Sequence, residues 1–313
     1  MNFHDVFTQE IEELVRVRDR VGPEFDRAVS LIADKTGKVV VTGIGKSGII
    51  AHKIAATLAS TGTPAVFLNA GEALHGDLGM VAAEDVVLML SKSADTAELA
   101  HMLPSVKEIG AGLIGMFGAS DTRLAQACDV VLDVSVSDEA CPLSLAPTTS
   151  ATVSLVMGDA LAIALMERGE FTQEKFAVLH PGGHLGRRLL VHVRDVLPAG
   201  GPRACVSGQV TLRQAIEELS ASARGAVCIL EESGMIKGIL TEGDIRRNFL
   251  RGTDPGCPVE EVMTPDPKVI ASTARLGEAL EMMESGDRQV YVLPVVDEQG
   301  HYLGMLRMHD IVT

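Results

Sequence analysis

Tryptophan is absent from this sequence and tyrosine occurs only twice, which removes the stacking platforms that proteins offer to single-stranded nucleic acid. Positive charge is also short. The 27 lysines and arginines face 42 acids, for a net charge of −15, and such a chain repels DNA and RNA. The five cysteines (128, 141, 205, 228 and 257) are scattered, odd in number and form no C-x-x-C pair. That excludes a zinc knuckle or disulfide framework and fits idle thiols in a reducing cytoplasm. No apolar run approaches the roughly 20 residues of a membrane span. The N-terminus, MNFHDVFTQEIEELVRVRDR, is charged and amphipathic with no secretory core. Ile11, Leu14, Val15 and Arg18 fall on one helical face there, as in a docking helix. A small anion bound by this acidic chain must be caught by a local cluster of donors.

Such a cluster is present at Lys38–Ser60. The β-branched run Val39–Val41 meets the turn Gly43-Ile44-Gly45-Lys46-Ser47-Gly48, and Ile49, Ile50, Ile54 and Leu58 follow at helical intervals. Strand, glycine loop and helix aim backbone N–H groups and a helix N-terminus at an anion. A Walker A loop needs glycine five residues before Gly45, where Val40 stands. The G-x-G-x-x-G fingerprint is satisfied by Gly43, Gly45 and Gly48, but the next strand, Pro64–Asn69, has no acid at its tip for a ribose. Dinucleotide binding therefore falls behind a smaller phosphate ligand.

Up to about residue 190, apolar runs alternate with helical patterns. Strands are expected at Val39–Val41, Ala65–Leu68, Val86–Leu90, Leu113–Phe117 and Val130–Val134, with helices such as Thr96–Glu108 and Thr149–Glu167 between them. Continuous β-branched runs separated by helices predict a parallel sheet covered on both faces, with ligands at the carboxyl ends of its strands. Ser91-Lys92-Ser93-Ala94-Asp95-Thr96 ends one such strand. Its hydroxyls suit either a helix N-cap at Ser93 or a second phosphate loop beside Gly43–Ser47.

A Pro/Gly linker, Val196–Pro202, opens a second half that repeats internally at about 66 residues. Val193–Leu197 answers to Val259–Met263, Leu212–Leu219 to Leu276–Met283, and Gly238-Ile239-Leu240 with Asp244 to Gly304-Met305-Leu306 with Asp310. Each copy reads as entry segment, helix, strand, turn, strand, helix. The repeat resembles a pair of CBS modules, in which a strand followed by [ST]-x-x-D holds a nucleotide ribose. Thr241 and Asp244 fit that pattern, whereas the second copy has Arg307 in place of the hydroxyl. The resemblance implies at most one good nucleotide half-site, with a purely structural pair as the alternative.

The first half resembles a SIS (sugar isomerase) domain. Four blocks are similar to the bacterial arabinose-5-phosphate isomerases: Gly43–Gly48, Ala73–Met80, Glu139–Thr148 and His180–Gly183. The implied chemistry interconverts D-ribulose 5-phosphate and D-arabinose 5-phosphate through a cis-enediol, feeding Kdo of lipopolysaccharide, without a metal or organic cofactor. By this resemblance the catalytic positions are Lys46, Glu98, Glu139 and His180; the sequence leaves the C–H base open between Glu98 and Glu139, with Glu139 favoured. Gly45, Ser47, His75, Ser91, Ser93 and Thr96 would bind the sugar phosphate, and His75 could also ligate an inhibitory divalent ion. Thr241 and Asp244 would hold a regulatory nucleotide, with CMP-Kdo the other candidate effector. One departure is Ala94, where the phosphate loop ordinarily has glycine; the change matters only if the position needs positive φ.

The expected architecture is an α/β doubly wound parallel five-stranded sheet of SIS type, followed by two small α+β CBS modules. The expected boundaries are 1–194, 195–257 and 258–313. The expected protein is a cytoplasmic homo-oligomer, a tetramer by resemblance, with no nucleic-acid or membrane partner. The rivals are a non-catalytic phosphosugar sensor and an isomerase of another sugar phosphate.

Overall fold

The computed structural model describes residues 2–198, 204–285 and 289–312. The chain divides into two compact units, Met1–Phe176 and Ala177–Thr313.

The first unit runs α1 (Phe3–Arg20), α2 (Pro23–Ala33), β1 (Val39–Gly43), α3 (Gly45–Ser60), β2 (Ala65–Asn69), α4 (Ala70–Ala73), β3 (Val86–Ser91), α5 (Ala97–Ile109), β4 (Gly112–Phe117), α6 (Arg123–Gln126), β5 (Val130–Asp133) and α7 (Thr149–Arg168). The five strands form one parallel sheet in the order β2-β1-β3-β4-β5. Every residue of β1, β3 and β4 is buried, because successive side chains alternate between two covered faces. Val39, Val41, Leu88, Leu90 and Ile114 face a core shared with α3 and α7. Val40, Val87, Met89, Leu113 and Phe117 face a second core with Leu99, Met102 and Val106 of α5. This is the expected doubly wound sheet.

Two expectations are corrected here. Helix α7 spans 20 residues with a mean hydropathy of 1.6, so an apolar stretch long enough to cross a membrane does exist. It is a core helix: Val153, Met157, Leu161, Ala162 and Leu165 are buried against the sheet, and its Asp159 pairs with Lys53. Helix α1 turns only part of the face of Ile11, Leu14, Val15 and Arg18 inward, with Leu14 packed against the first core. Its buried residues are Glu13 and Val17, whereas Phe3, Phe7, Ile11 and Val15 are exposed. On the inward face Val17 joins the first core, while Glu13 accepts from Ser137 N–H at 3.1 Å and pairs with Arg16.

In the second unit, which α8 (Gln173–Leu179) leads into, the order is α9 (His184–Leu190), α10 (Val193–Val196), β6 (Cys205–Ser207), α11 (Leu212–Ser222), β7 (Ala226–Leu230), β8 (Ile236–Thr241), α12 (Glu242–Leu250), β9 (Thr264–Pro265), β10 (Ile270–Ala271), α13 (Leu276–Glu284), β11 (Val292–Val296), β12 (Tyr302–Arg307) and α14 (Met308–Val312). Two sheets result, β6-β7-β8-β9 and β10-β11-β12. The linker residues 199–202 lie outside the described residues. The two cores are exchanged relative to the linear repeat. Val193 is buried with Ile270, Leu276 and Leu293 of the second copy, and Val259 with Leu212, Val227 and Leu240 of the first. Each entry segment therefore completes the other copy's core. A shared cluster of Ala226, Cys228, Ile239, Tyr302 and Met305 joins the two sheets.

Helices α3 and α7 meet at a glycine: a Cβ on Gly158 would lie 2.4 Å from Cδ1 of Ile54, which is fully buried. Gly158→Val is expected to overpack this seam and lower the free energy of unfolding by about 1–3 kcal/mol in urea titrations. Unchanged stability would mean that the helices are not in close contact there.

Candidate active site at the carboxyl edge of the sheet

The β1–α3 loop is built for close backbone approach. A Cβ on Gly48 would sit 3.0 Å from the Gly43 carbonyl oxygen, and Gly45 has φ +58°, a left-handed conformation that glycine adopts without strain. The N-cap of α3 is Ile44, which offers no side-chain acceptor. The first N–H groups of this 16-residue helix thus remain for an anion. Lys46 is exposed and Ser47 half-buried in the same turn. Asn69, at the tip of β2, spends its side chain capping α4 through Gly71 N–H at 2.9 Å, so nothing there resembles a ribose-binding acid.

The β3–α5 loop is internally braced. Ser91 Oγ, 5% exposed, accepts from Ala94 N–H at 3.0 Å and lies 2.7 Å from Thr96 Oγ1. Ser93 does not cap α5. Its Oγ accepts from Asp95 N–H at 3.2 Å, and the helix begins after Thr96 with no side-chain cap. Ala94 has φ +50°, so the position where glycine was expected does take the left-handed conformation, at a cost of roughly 1 kcal/mol. Its methyl is buried with Leu99 and Phe117, and that burial partly offsets the strain. The loop is held in shape despite the alanine.

Glu139 is 2% exposed and saturated with donors. One carboxylate oxygen accepts from Thr148 N–H at 2.9 Å, Ser150 N–H at 3.1 Å and the Thr148 hydroxyl at 3.3 Å. The other accepts from the Ser150 hydroxyl and pairs with Lys92 Nζ at 2.6 Å. The carboxylate therefore fills the N-terminus of α7, where negative charge is favoured. In return the buried Thr149 hydroxyl accepts from Ala140 N–H at 2.9 Å. Burial pushes the carboxyl up, but Lys92, Ser150 and the two backbone donors outweigh it and hold the pKa at about 2. A carboxylate so stabilised is a weak base in this arrangement.

Lys46 and Ser47 line one small pocket with Ile50, Lys92, Val134, Pro147, Ser150, Ala151 and Ser154. Its lining carries two cations, three serines and no acid. Its open volume is about 40 Å³, room for a few waters but well short of the several hundred Å³ typical of ligand sites. Glu98, in the first turn of α5, is half-buried and makes no side-chain hydrogen bond or ion pair among the described residues. His75 is exposed between α4 and Gly76, and it is not among the pocket residues. Among the described residues no group of three or more His, Cys, Asp or Glu is placed to hold a metal ion, so His75 has no such companions.

His180 belongs to the second unit. It stands at the end of α8 in a tight turn, where a Cβ on Gly186 would lie 2.2 Å from its carbonyl oxygen. Thr241 and Asp244 form the capping box of α12, with Thr241 Oγ1 donating to the carboxylate at 2.6 Å and Arg247 pairing with it. In the second copy Arg307 takes the hydroxyl's place on Asp310 at 2.7 Å, and Arg224 adds a contact at 3.2 Å.

Sequence reasoning missed the residues that hold the Glu139 loop. Arg16 donates to Ser137 Oγ at 2.9 Å and Arg20 to Ser135 Oγ at 2.8 Å. Arg20 also pairs with Asp133 at 3.0 Å. It likewise missed that Thr148-Thr149-Ser150, a capping signal ahead of an apolar helix, would take its acid from nine residues upstream.

The fold is that of a SIS domain followed by a tandem CBS pair: the SIS domain family matches residues 31–164 and the CBS domain family residues 192–251 and 259–313. The chain is 47% identical over 294 residues to arabinose 5-phosphate isomerase KdsD of Pseudomonas aeruginosa, covering 94% of this chain and 90% of that one. It is 43% identical over 309 residues to KdsD of Escherichia coli K12, covering 98% and 93%. A solved structure from E. coli CFT073, in complex with arabinose 5-phosphate, is 44% identical with a TM-score of 0.56, and covers 58% of this chain and all of its own. The chain belongs to the family of arabinose 5-phosphate isomerases.

A carboxyl whose folded pKa lies below its unfolded value stabilises the fold above the unfolded pKa, and that contribution is lost as pH falls through the folded one. For Glu139 the window runs from the ordinary 4.5 down to about 2. The stability of the wild type over Glu139→Gln should thus be on the order of 2–3 kcal/mol at neutral pH and shrink across that window in urea titrations. A difference independent of pH would refute the assignment.

Proposed function

We propose that this protein is an aldose–ketose isomerase that interconverts D-ribulose 5-phosphate and D-arabinose 5-phosphate through a cis-enediol, supplying Kdo for lipopolysaccharide in the cytoplasm. The observation that carries the reading is the uncapped α3 N-terminus with Lys46 and Ser47, opening on a pocket that holds two lysines and no acid. In a chain of net charge −15, such a spot selects an anionic group by local donors. Gly45, Ser47, Ser93 and Thr96 would bind the phosphate, with Ser91 bracing their loop.

Aldose–ketose isomerisation moves a proton between two adjacent carbons and needs a base, a proton carrier for the oxygens and stabilisation of the enediolate. Lys46 supplies the positive charge. Glu98, the carboxylate whose lone pairs are not already taken, is the better base for the C–H proton. His180 would open the sugar ring or carry protons, and Glu139 would position the loop and accept from sugar hydroxyls. We further propose a homo-oligomer, a tetramer, in which a neighbouring copy completes the site. Support comes from the small pocket, exposed His75 and the exposed apolar stripe Phe3, Phe7, Ile11 and Val15. Thr241 and Asp244 are proposed as a nucleotide half-site, with an adenine nucleotide or CMP-Kdo as effector. The absence of any melting-temperature shift with either would count against this.

NMR of the full chain with D-ribulose 5-phosphate in D₂O tests the reaction. Arabinose 5-phosphate should appear with deuterium at the exchanging carbon. Lys46→Ala and Glu98→Gln should each slow exchange by about 100-fold or more. Saturable binding with no turnover by the wild type would favour the phosphosugar sensor instead.

A further inference from the structure

Lys92 is the one pocket cation that is already engaged. Its Nζ lies 2.6 Å from Glu139 Oε1, and its side chain is 49% exposed while that of Glu139 is 1% exposed. The backbone of Lys92 is fixed: a Cβ on Gly118 would lie 2.4 Å from the Lys92 carbonyl oxygen, and Gly118 N–H donates to Ser91 O at 3.2 Å. Glu139 is equally fixed by Thr148 and Ser150. What can move is the flexible stem of Lys92, a half-exposed lysine that loses little solvation when it changes partner. The pocket it lines, about 40 Å³, must widen before a sugar phosphate enters.

From this geometry we propose that Lys92 is a displaceable latch: the substrate's phosphate takes its ammonium from Glu139, so that binding opens the pocket and frees Glu139 Oε1 together. The exchange is nearly balanced, since one charge-assisted bond replaces another and a dianion is the stronger partner. The freed oxygen keeps only the Ser150 hydroxyl and gains room to accept from a sugar hydroxyl. Specificity follows as well. A neutral sugar cannot compete with Glu139 for Lys92 and leaves the latch closed. This inference rests on the isomerase reading for the identity of the substrate, but not for the anion exchange itself.

The test is calorimetric titration of the full-length protein with inorganic phosphate, alongside KM and kcat for D-ribulose 5-phosphate. Lys92→Met should weaken phosphate binding about tenfold and raise KM by a similar factor, and Lys92→Arg should restore most of both. Glu139→Gln, which removes the competitor for Lys92, should bind phosphate several-fold more tightly than the wild type. That gain should vanish in the double variant with Lys92→Met. Tighter binding in Glu139→Gln reports the exchange even if Lys92→Met folds poorly. Unchanged or tighter phosphate binding in a folded Lys92→Met protein, or no gain in Glu139→Gln, would overturn the latch. If phosphate behaves as expected but the wild type turns over no pentose phosphate, the isomerase reading fails and the exchange stands.

Discussion

The buried carboxylate of Glu139 is the interaction on which the catalytic edge depends. It joins three pieces of chain that the sheet alone would leave independent: the loop after β5, the N-terminus of α7 and the β3–α5 loop through Lys92. A helix start buried without a cap leaves unpaired N–H groups, and a buried carboxylate without donors is costlier still. Each removes the other's penalty. Helix α1 then fixes the same loop from outside through Glu13, Arg16 and Arg20.

This leaves a division of labour among helix N-termini along one edge. The start of α7 is filled by an acid of its own chain. The starts of α3 and α5 have no side-chain cap and stand where loops meet the carboxyl ends of β1 and β3, the usual ligand position in such sheets. The strong acidity of the chain does not oppose anion binding there, because exposed charges farther than about 8–10 Å are screened by salt while the pocket donors are in contact.

Much of the fold is legible in the sequence because it rests on periodicity. The runs Val39–Val41 and Val86–Leu90 announce strands buried on both faces, and the intervening helical intervals announce a doubly wound sheet. The repeat in the second half is equally plain, but the exchange of Val193 and Val259 between cores is not, since linear spacing carries no information about which copy an entry segment packs into. In the site, Lys46 and Ser47 are readable from their glycine setting. The left-handed backbone at Ala94 is legible only as a condition. The role of Glu139 is hidden, because a carboxylate's basicity is set by donors that the fold brings from Thr148, Ser150 and Lys92. The buried face of α1 is partly hidden for a related reason: Leu14 and Val17 turn inward as apolar residues do, but the burial of Glu13 depends on donors from the Ser137 loop.

The most direct test of this account is the titration of the Glu139 side-chain carboxyl, followed by ¹³C NMR in labelled, phosphate-free protein and assigned with Glu139→Gln. The account predicts a group that stays ionised until pH approaches about 2. A midpoint at or above the ordinary 4.5 would contradict it. Glu139 would then be free of its donors in solution and available as a base.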